Sequence, residues 1–204
     1  GASGHNTYVG GVIGYAINAA SSVSLLRNVA IFPNGITGNT AGGLVGYFHM
    51  GSLSHSLNAM QGDVIGITHA GGVCGMHVAG GSCEGLANSM TGSVEATDNA
   101  GGMYGCVDAS LTTSSSQLMN YMGGNVQGTN SGGVVGLVTR STETGDVQIT
   151  NSIVAMHGTV DQHVSGSANF APSAMDVVVN TNFGIVGNDS AAPSVELTGF
   201  TTNP

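Results

Sequence analysis

The chain is predicted to be all-β: a β-solenoid (β-helix) of about five to six coils, with a period near 30 residues and a divergent C-terminal segment. Two recurring motifs and one missing pattern predict this. The first motif is a glycine pair, two apolar residues and a third glycine. It occurs as Gly10-Gly11-Val12-Ile13-Gly14, Gly42-Gly43-Leu44-Val45-Gly46, Gly71-Gly72-Val73-Cys74-Gly75, Gly101-Gly102-Met103-Tyr104-Gly105 and Gly132-Gly133-Val134-Val135-Gly136. The first glycines are 32, 29, 30 and 31 residues apart. The second motif, Met-x-Gly-x-Val, starts at Met60, Met90, Met122 and Met156. An asparagine precedes each: Asn58, Asn88, Asn120 and Asn151. A worn version in the first unit has Asn28, Ile31, Gly35 and Ile36. The missing pattern is a helical one. No stretch places apolar residues at i, i+3, i+4 and i+7 over a helical length, and each glycine in a helix interior costs roughly 1 kcal/mol.

Each unit therefore reads as a glycine-flanked strand, a Ser/Thr-rich segment of variable length, an Asn-bearing strand, a glycine turn and a short valine strand. Ser52-Leu53-Ser54-His55-Ser56-Leu57 alternates with period two, as a strand with one buried face does. Stacked at about 4.8 Å per coil, the units predict a rod on the order of 25–30 Å long. The glycines allow close approach of backbones between coils. The aligned asparagines are expected to form a ladder, each amide bonding to the copies above and below. The methionines are expected in the core.

Residues 1–164 are assigned to the repeat solenoid, with units starting near 10, 42, 71, 101 and 132. Residues 165–204 are assigned to a cap or an inter-subunit strand segment, since an open coil exposes unpaired backbone groups. In that tail Phe183-Gly184-Ile185-Val186-Gly187 resembles a worn sixth copy, and 176–179 and 195–200 are strand-like.

Composition narrows the function. There are 35 glycines, 6% charged residues and no lysine; the bases are Arg27 and Arg140, and the net charge is −9. Nucleic acid and anionic lipid both need basic patches, so neither is an expected partner. No window holds 18 uninterrupted apolar residues, so membrane insertion by a helix is not expected. The start at Gly1 is read as the mark of a processed chain. An amide- and hydroxyl-rich, low-charge surface points to an extracellular or cell-surface setting. Cys74, Cys83 and Cys106 allow one disulfide with a free thiol, or three buried reduced thiols. In-register stacking sets Cys74 beside Tyr104 and Cys106 beside Met76, too far for a Cys74–Cys106 bridge.

These units resemble the GLUG-type repeats of secreted and surface microbial proteins, over about residues 8–164. The resemblance implies an extracellular solenoid used in adhesion, stalks or surface display.

No catalytic motif accompanies the repeats. His-Glu-x-x-His is absent, and a phosphate loop ending in Gly-Lys is ruled out by the lack of lysine. His5, His49, His55, His69, His77, His157 and His163 form no column, although His69 and His77 are placed to approach across a strand. Glu84, Glu95, Asp98 and Asp108 fall within two units and read as a solvated face, with Glu95 and Asp98 sharing a turn. No catalytic residue, cofactor or metal is expected. A glycan-cleaving enzyme and an ice-binding solenoid are weaker alternatives to a structural protein, the latter because threonines hold no register.

Three site expectations follow. Asn188, in the Asn-Asp-Ser sequon, is the candidate glycan acceptor, with 114–116 and 141–144 as O-glycan candidates. Val12, Leu44, Val73, Met103 and Val134 are expected to form an assembly face: alternation puts them opposite Ile13, Val45, Cys74, Tyr104 and Val135, so both faces of that strand are apolar. Val195, Leu197 and Phe200 are expected to add a strand to an open end. The protein is then a self-assembling filament or surface-fibre subunit whose partners are copies of itself and surface glycans. The alternative is a monomeric adhesin or stalk module.

Overall fold

A computed structural model describes residues 7–24, 26–30, 35–78, 81–108, 113–139, 147–150, 153–162, 186–189, 195–198 and 201–203. They form an all-β solenoid of three parallel sheets. The first sheet stacks Tyr8–Gly10, Ile36–Gly42, Val64–Gly71, Val94–Ala96, Val126–Gly128 and Val160–Gln162, with Asn99–Gly101 and Asn130–Gly132 beside them. The second begins with Ile13–Ser24 and Val45–Ser54. In later coils it splits into pairs such as Cys74–Val78 with Gly81–Glu84, and Tyr104–Asp108 with Thr113–Ser116. The third stacks Arg27–Ala30, Leu57–Met60, Ala87–Met90, Met119–Met122, Ile153–Met156 and Thr201–Asn203. Four coils have a neighbour on both sides, slightly fewer than the expected five to six, and a partial first coil and the last rungs flank them.

Between the first and second sheets the chain turns at the glycine pair. Leu44 N and Val45 N both donate to Val73 O, at 2.9 and 3.0 Å, and Val73 N and Cys74 N both donate to Met103 O, each at 2.9 Å. Two successive N–H groups converging on one carbonyl mark a corner, not a continuing strand. Period-two alternation therefore fails there, and adjacent residues face the same way. Leu44, Val73, Met103 and Val134 are completely buried, as are Val45 and Val135. The expected assembly face is thus corrected: four of its five residues are core. Only Val12, on the first coil, is 44% exposed.

The core runs the length of the stack. Met60, Met90 and Met122 are buried with Val64, Val94 and Val126 beneath them, as the second motif predicts. Cys74 pairs in register with Tyr104, and Cys106 with Met76; all three thiols are free and buried. After Ser54, Glu84 and Ser116 the next corner uses left-handed backbone at His55 (φ 50°), Gly85 (φ 63°) and Gln117 (φ 55°).

The tail continues the stack in the same chain. Val186–Asp189 pairs with Val135–Thr139, Val195–Thr198 with Val147–Thr150, and Thr201–Asn203 with Ile153–Met156. Val186 opposite Val135 sets Gly187 opposite Gly136, the register expected of a worn sixth copy. Asn188 accordingly sits on a strand opposite Leu137, not in an irregular tail. Val195 and Leu197 do add a strand, but to their own chain. Phe200 and residues 176–179 lie outside the described residues.

Candidate functional site

Two polar ladders and a sparsely covered first coil mark the described residues. The main ladder is the predicted one. Asn28 Nδ2 donates to Asn58 Oδ1 (2.8 Å), Asn58 to Asn88 (2.9 Å) and Asn88 to Asn120 (2.8 Å). Each Nδ2 also donates to the second glycine of the next coil's pair: Asn28 to Gly43 O, Asn58 to Gly72 O, Asn88 to Gly102 O and Asn120 to Gly133 O, at 2.7–2.9 Å. In Asn28, Asn58 and Asn88 both amide hydrogens are used, and these buried polar groups are satisfied coil by coil. The glycine pair is the other half of the device. A Cβ on Gly43, Gly72 or Gly102 would overlap the neighbouring asparagine amide and the next coil's backbone. The ladder's end differs from expectation, because Val154, not Asn151, stands opposite Asn120. Asn151 precedes its methionine by five residues where the others precede theirs by two, and it lies outside the described residues. The worn unit is corrected likewise: Ala30, not Ile31, pairs with Met60.

A second ladder sits on the first sheet. Asn130 Nδ2 donates to Asn99 Oδ1 at 2.7 Å, and Asn99 Nδ2 lies 2.9 Å from His69 Nδ1. With its oxygen engaged, Asn99 presents a donor, so His69 Nδ1 accepts and the ring is neutral. Burial pushes the His69 pKa down; Asp98 opposes this more weakly. A histidine held neutral contributes stability that is complete above its unfolded pKa of about 6.5 and is lost as pH falls through the lower folded value. The melting temperature of the native protein is therefore expected to fall between pH 7.5 and 5.5, and His69→Asn, which keeps an acceptor, to fall less. Equal acid sensitivity in the two proteins would exclude His69 as the cause.

The remaining histidines and acids do not converge. His69 and His77 occupy different sheets, and His77 Nδ1 lies 3.8 Å from Cys83 Sγ in the core. His49 stacks on Tyr47 (6.3 Å) and His157 tilts against Tyr121 (5.5 Å). Glu95 is on a first-sheet strand, whereas Asp98 is exposed ahead of the next one. Glu84 and Asp108 belong to the second sheet. Among the described residues no three His, Cys, Asp or Glu side chains group to hold a metal ion. Burial raises the Cys83 thiol to about 11 and the Cys106 thiol to about 12, and Cys74 higher still. Thiols held protonated at neutral pH are not nucleophiles.

Among the described residues the first coil is the least covered. Val9, Ile13, Ala16, Val23 and Leu26 are only partly buried. One coil further on, Ala41, Val45, Phe48 and Leu53, the register partners of the first four, are at most 2% exposed. Among the described residues eight large hydrophobics are exposed, and Val12, Tyr15, Ile17 and Val29 of this coil are four of them. Beside them Tyr8, Tyr15 and Tyr47 form a cluster with ring centroids 4.7–5.0 Å apart. For Val12 this exposure is invisible to a residue-by-residue reading, because its counterpart one coil on, Leu44, is core.

Comparison with family models, curated proteins and solved structures finds no match to the chain. No described helix is long and apolar enough to cross a membrane.

Proposed function

We propose that this chain is a non-catalytic structural subunit that joins head to tail into an extracellular or cell-surface filament. One observation carries the reading: among the described residues the first coil's inward side chains are only partly buried, and the last rungs occupy the same columns at the other end. Along one column the register runs Val23, Leu53, Cys83, Ser115, Ile149, Leu197. A second copy set on this end continues the column from Leu197 to its own Val23. Head-to-tail contacts that do not close into a ring give fibres. The low charge, the absence of lysine and the resemblance to GLUG-type repeats support an extracellular setting. Glycosylation at Asn188 would fall on the last rung and hinder this contact.

The test is Val23→Lys, which sets an ammonium in the open column, against Ser24→Lys one residue along. An unpaired charge buried at the joint is expected to raise the concentration for half-assembly about tenfold or more, read by sedimentation and electron microscopy. Ser24→Lys is expected to polymerise like the native chain. A native protein that stays monomeric at high concentration, or a Val23→Lys that assembles normally, overturns the proposal.

A further inference from the structure

On the side of the solenoid, away from both ends, the outer surface of the first sheet is creased. The crease follows from the turn at residues 97–98, which separates Val94–Ala96 from Asn99–Gly101, and from its counterpart at Thr129. Thr129 Oγ1 donates to Thr97 O at 2.9 Å and fixes one wall. The groove is shallow and open to solvent, has a volume of about 490 Å³, and is lined by Ile65, Gly66, Glu95, Ala96, Thr97, Gln127 and Thr129. Its size is within the range of small-ligand sites, and its lining mixes apolar walls with a few convergent polar groups, as such sites do.

The order of these residues is informative. Ile65, Glu95 and Gln127 are register partners on three successive rungs, so an apolar side chain, a carboxylate and a primary amide follow one another along the solenoid axis. Rungs are about 4.8 Å apart. That is close to the length one pyranose ring adds to an extended β-linked chain. A carboxylate and an amide one rung apart suit neighbouring hydroxyls: Glu95 accepts from them, and the Gln127 amide both donates and accepts. The alkyl walls of Ile65 and Ala96 offer an apolar surface to ring C–H groups.

Charge restricts the ligand further. Arg27 is the one base among the described residues, and it lies on the third sheet. Among the described residues a phosphate, sulfate or carboxylate would meet Glu95 with no cation to balance it, so anionic ligands are disfavoured. The pocket carries no group of three metal ligands either. We infer that this groove is a binding site for an extended neutral polysaccharide lying along the solenoid axis. The site is on the side wall, so the inference holds whether or not copies join end to end.

The test uses four neutral hexasaccharides (β-1,4-linked glucose, N-acetylglucosamine, mannose and xylose) and one anionic one, a galacturonate hexamer. Binding is read by calorimetry and by saturation-transfer NMR on the full chain. At least one neutral hexamer is expected to bind with one site per chain. Glu95→Gln, which removes the charge of the acceptor, and Gln127→Ala, which removes a hydrogen-bonding partner, are each expected to weaken it about tenfold. Ser82→Ala, on the second sheet, is expected to bind as the native chain does. Melting temperatures within a few degrees of the native protein establish that the variants are folded; Glu95→Ala serves if Glu95→Gln is not. Failure of all four neutral hexamers to bind overturns the inference. So does tighter binding of the galacturonate hexamer, or undiminished binding by both groove variants.

Discussion

Exchanging Asn88 for valine is expected to destabilise the solenoid by about 3–6 kcal/mol and to lower its melting temperature by roughly 10 °C or more. Three buried hydrogen bonds are lost together: Asn58 to Asn88, Asn88 to Asn120, and Asn88 to Gly102 O. Each leaves a partner stranded in the core, where an unsatisfied polar group costs about 1–3 kcal/mol. Asn120→Val supplies the comparison. Asn120 is the last rung of the ladder and already faces Val154, so its loss strands fewer partners. Guanidinium unfolding followed by circular dichroism reads both. Equal costs for the two variants would show that the asparagines act singly and not as a ladder.

Gly102→Ala is expected to cost more than about 4 kcal/mol, enough to prevent normal folding. Its new methyl group would overlap Gly133 O and Asn120 Nδ2. Neither yields easily: one is backbone of the next coil, and the other is fixed by its bond to Gly133 O. Gly123→Ala is the control. The nearest atoms to a Cβ there are Thr91 Cα at 3.3 Å and Met90 O at 3.4 Å, so a change of at most about 1 kcal/mol is expected. Melting curves of the two variants separate the cases. A Gly102→Ala protein with native stability would mean that the coils can part there without penalty.

The spacing of the glycine pairs and of Asn58, Asn88 and Asn120 made the coil, the parallel stacking and the amide ladder legible before any coordinates. Three features escaped notice, for different reasons. Leu44 and Val45 both turn inward because their N–H groups share one carbonyl, whereas alternation presumes an unbroken strand. The end of the ladder is misplaced when the nearest asparagine, Asn151, is chosen as its rung, although the two-residue offset from Met156 already points to Val154, which pairs with Asn120. The groove at Glu95 and Gln127 is built from residues 32 apart, so no local window contains it. The tail is an intermediate case: Val186-Gly187 kept enough of the motif to be noticed, while Val195–Thr198 is recognisable as a rung only from what it pairs with.

The asparagine row also has a direction. Every amide hydrogen passes from Asn28 towards Asn120 and none returns, so the side-chain dipoles add like magnets laid pole to pole. The two poles differ in kind. At the first coil the row presents the oxygen of Asn28; at the other it stops against the hydrocarbon of Val154, which has nothing to exchange. Two first coils brought face to face would set oxygen against oxygen. In the proposed head-to-tail fibre, every copy would point its row of amides the same way, so the two tips of the fibre would be unlike.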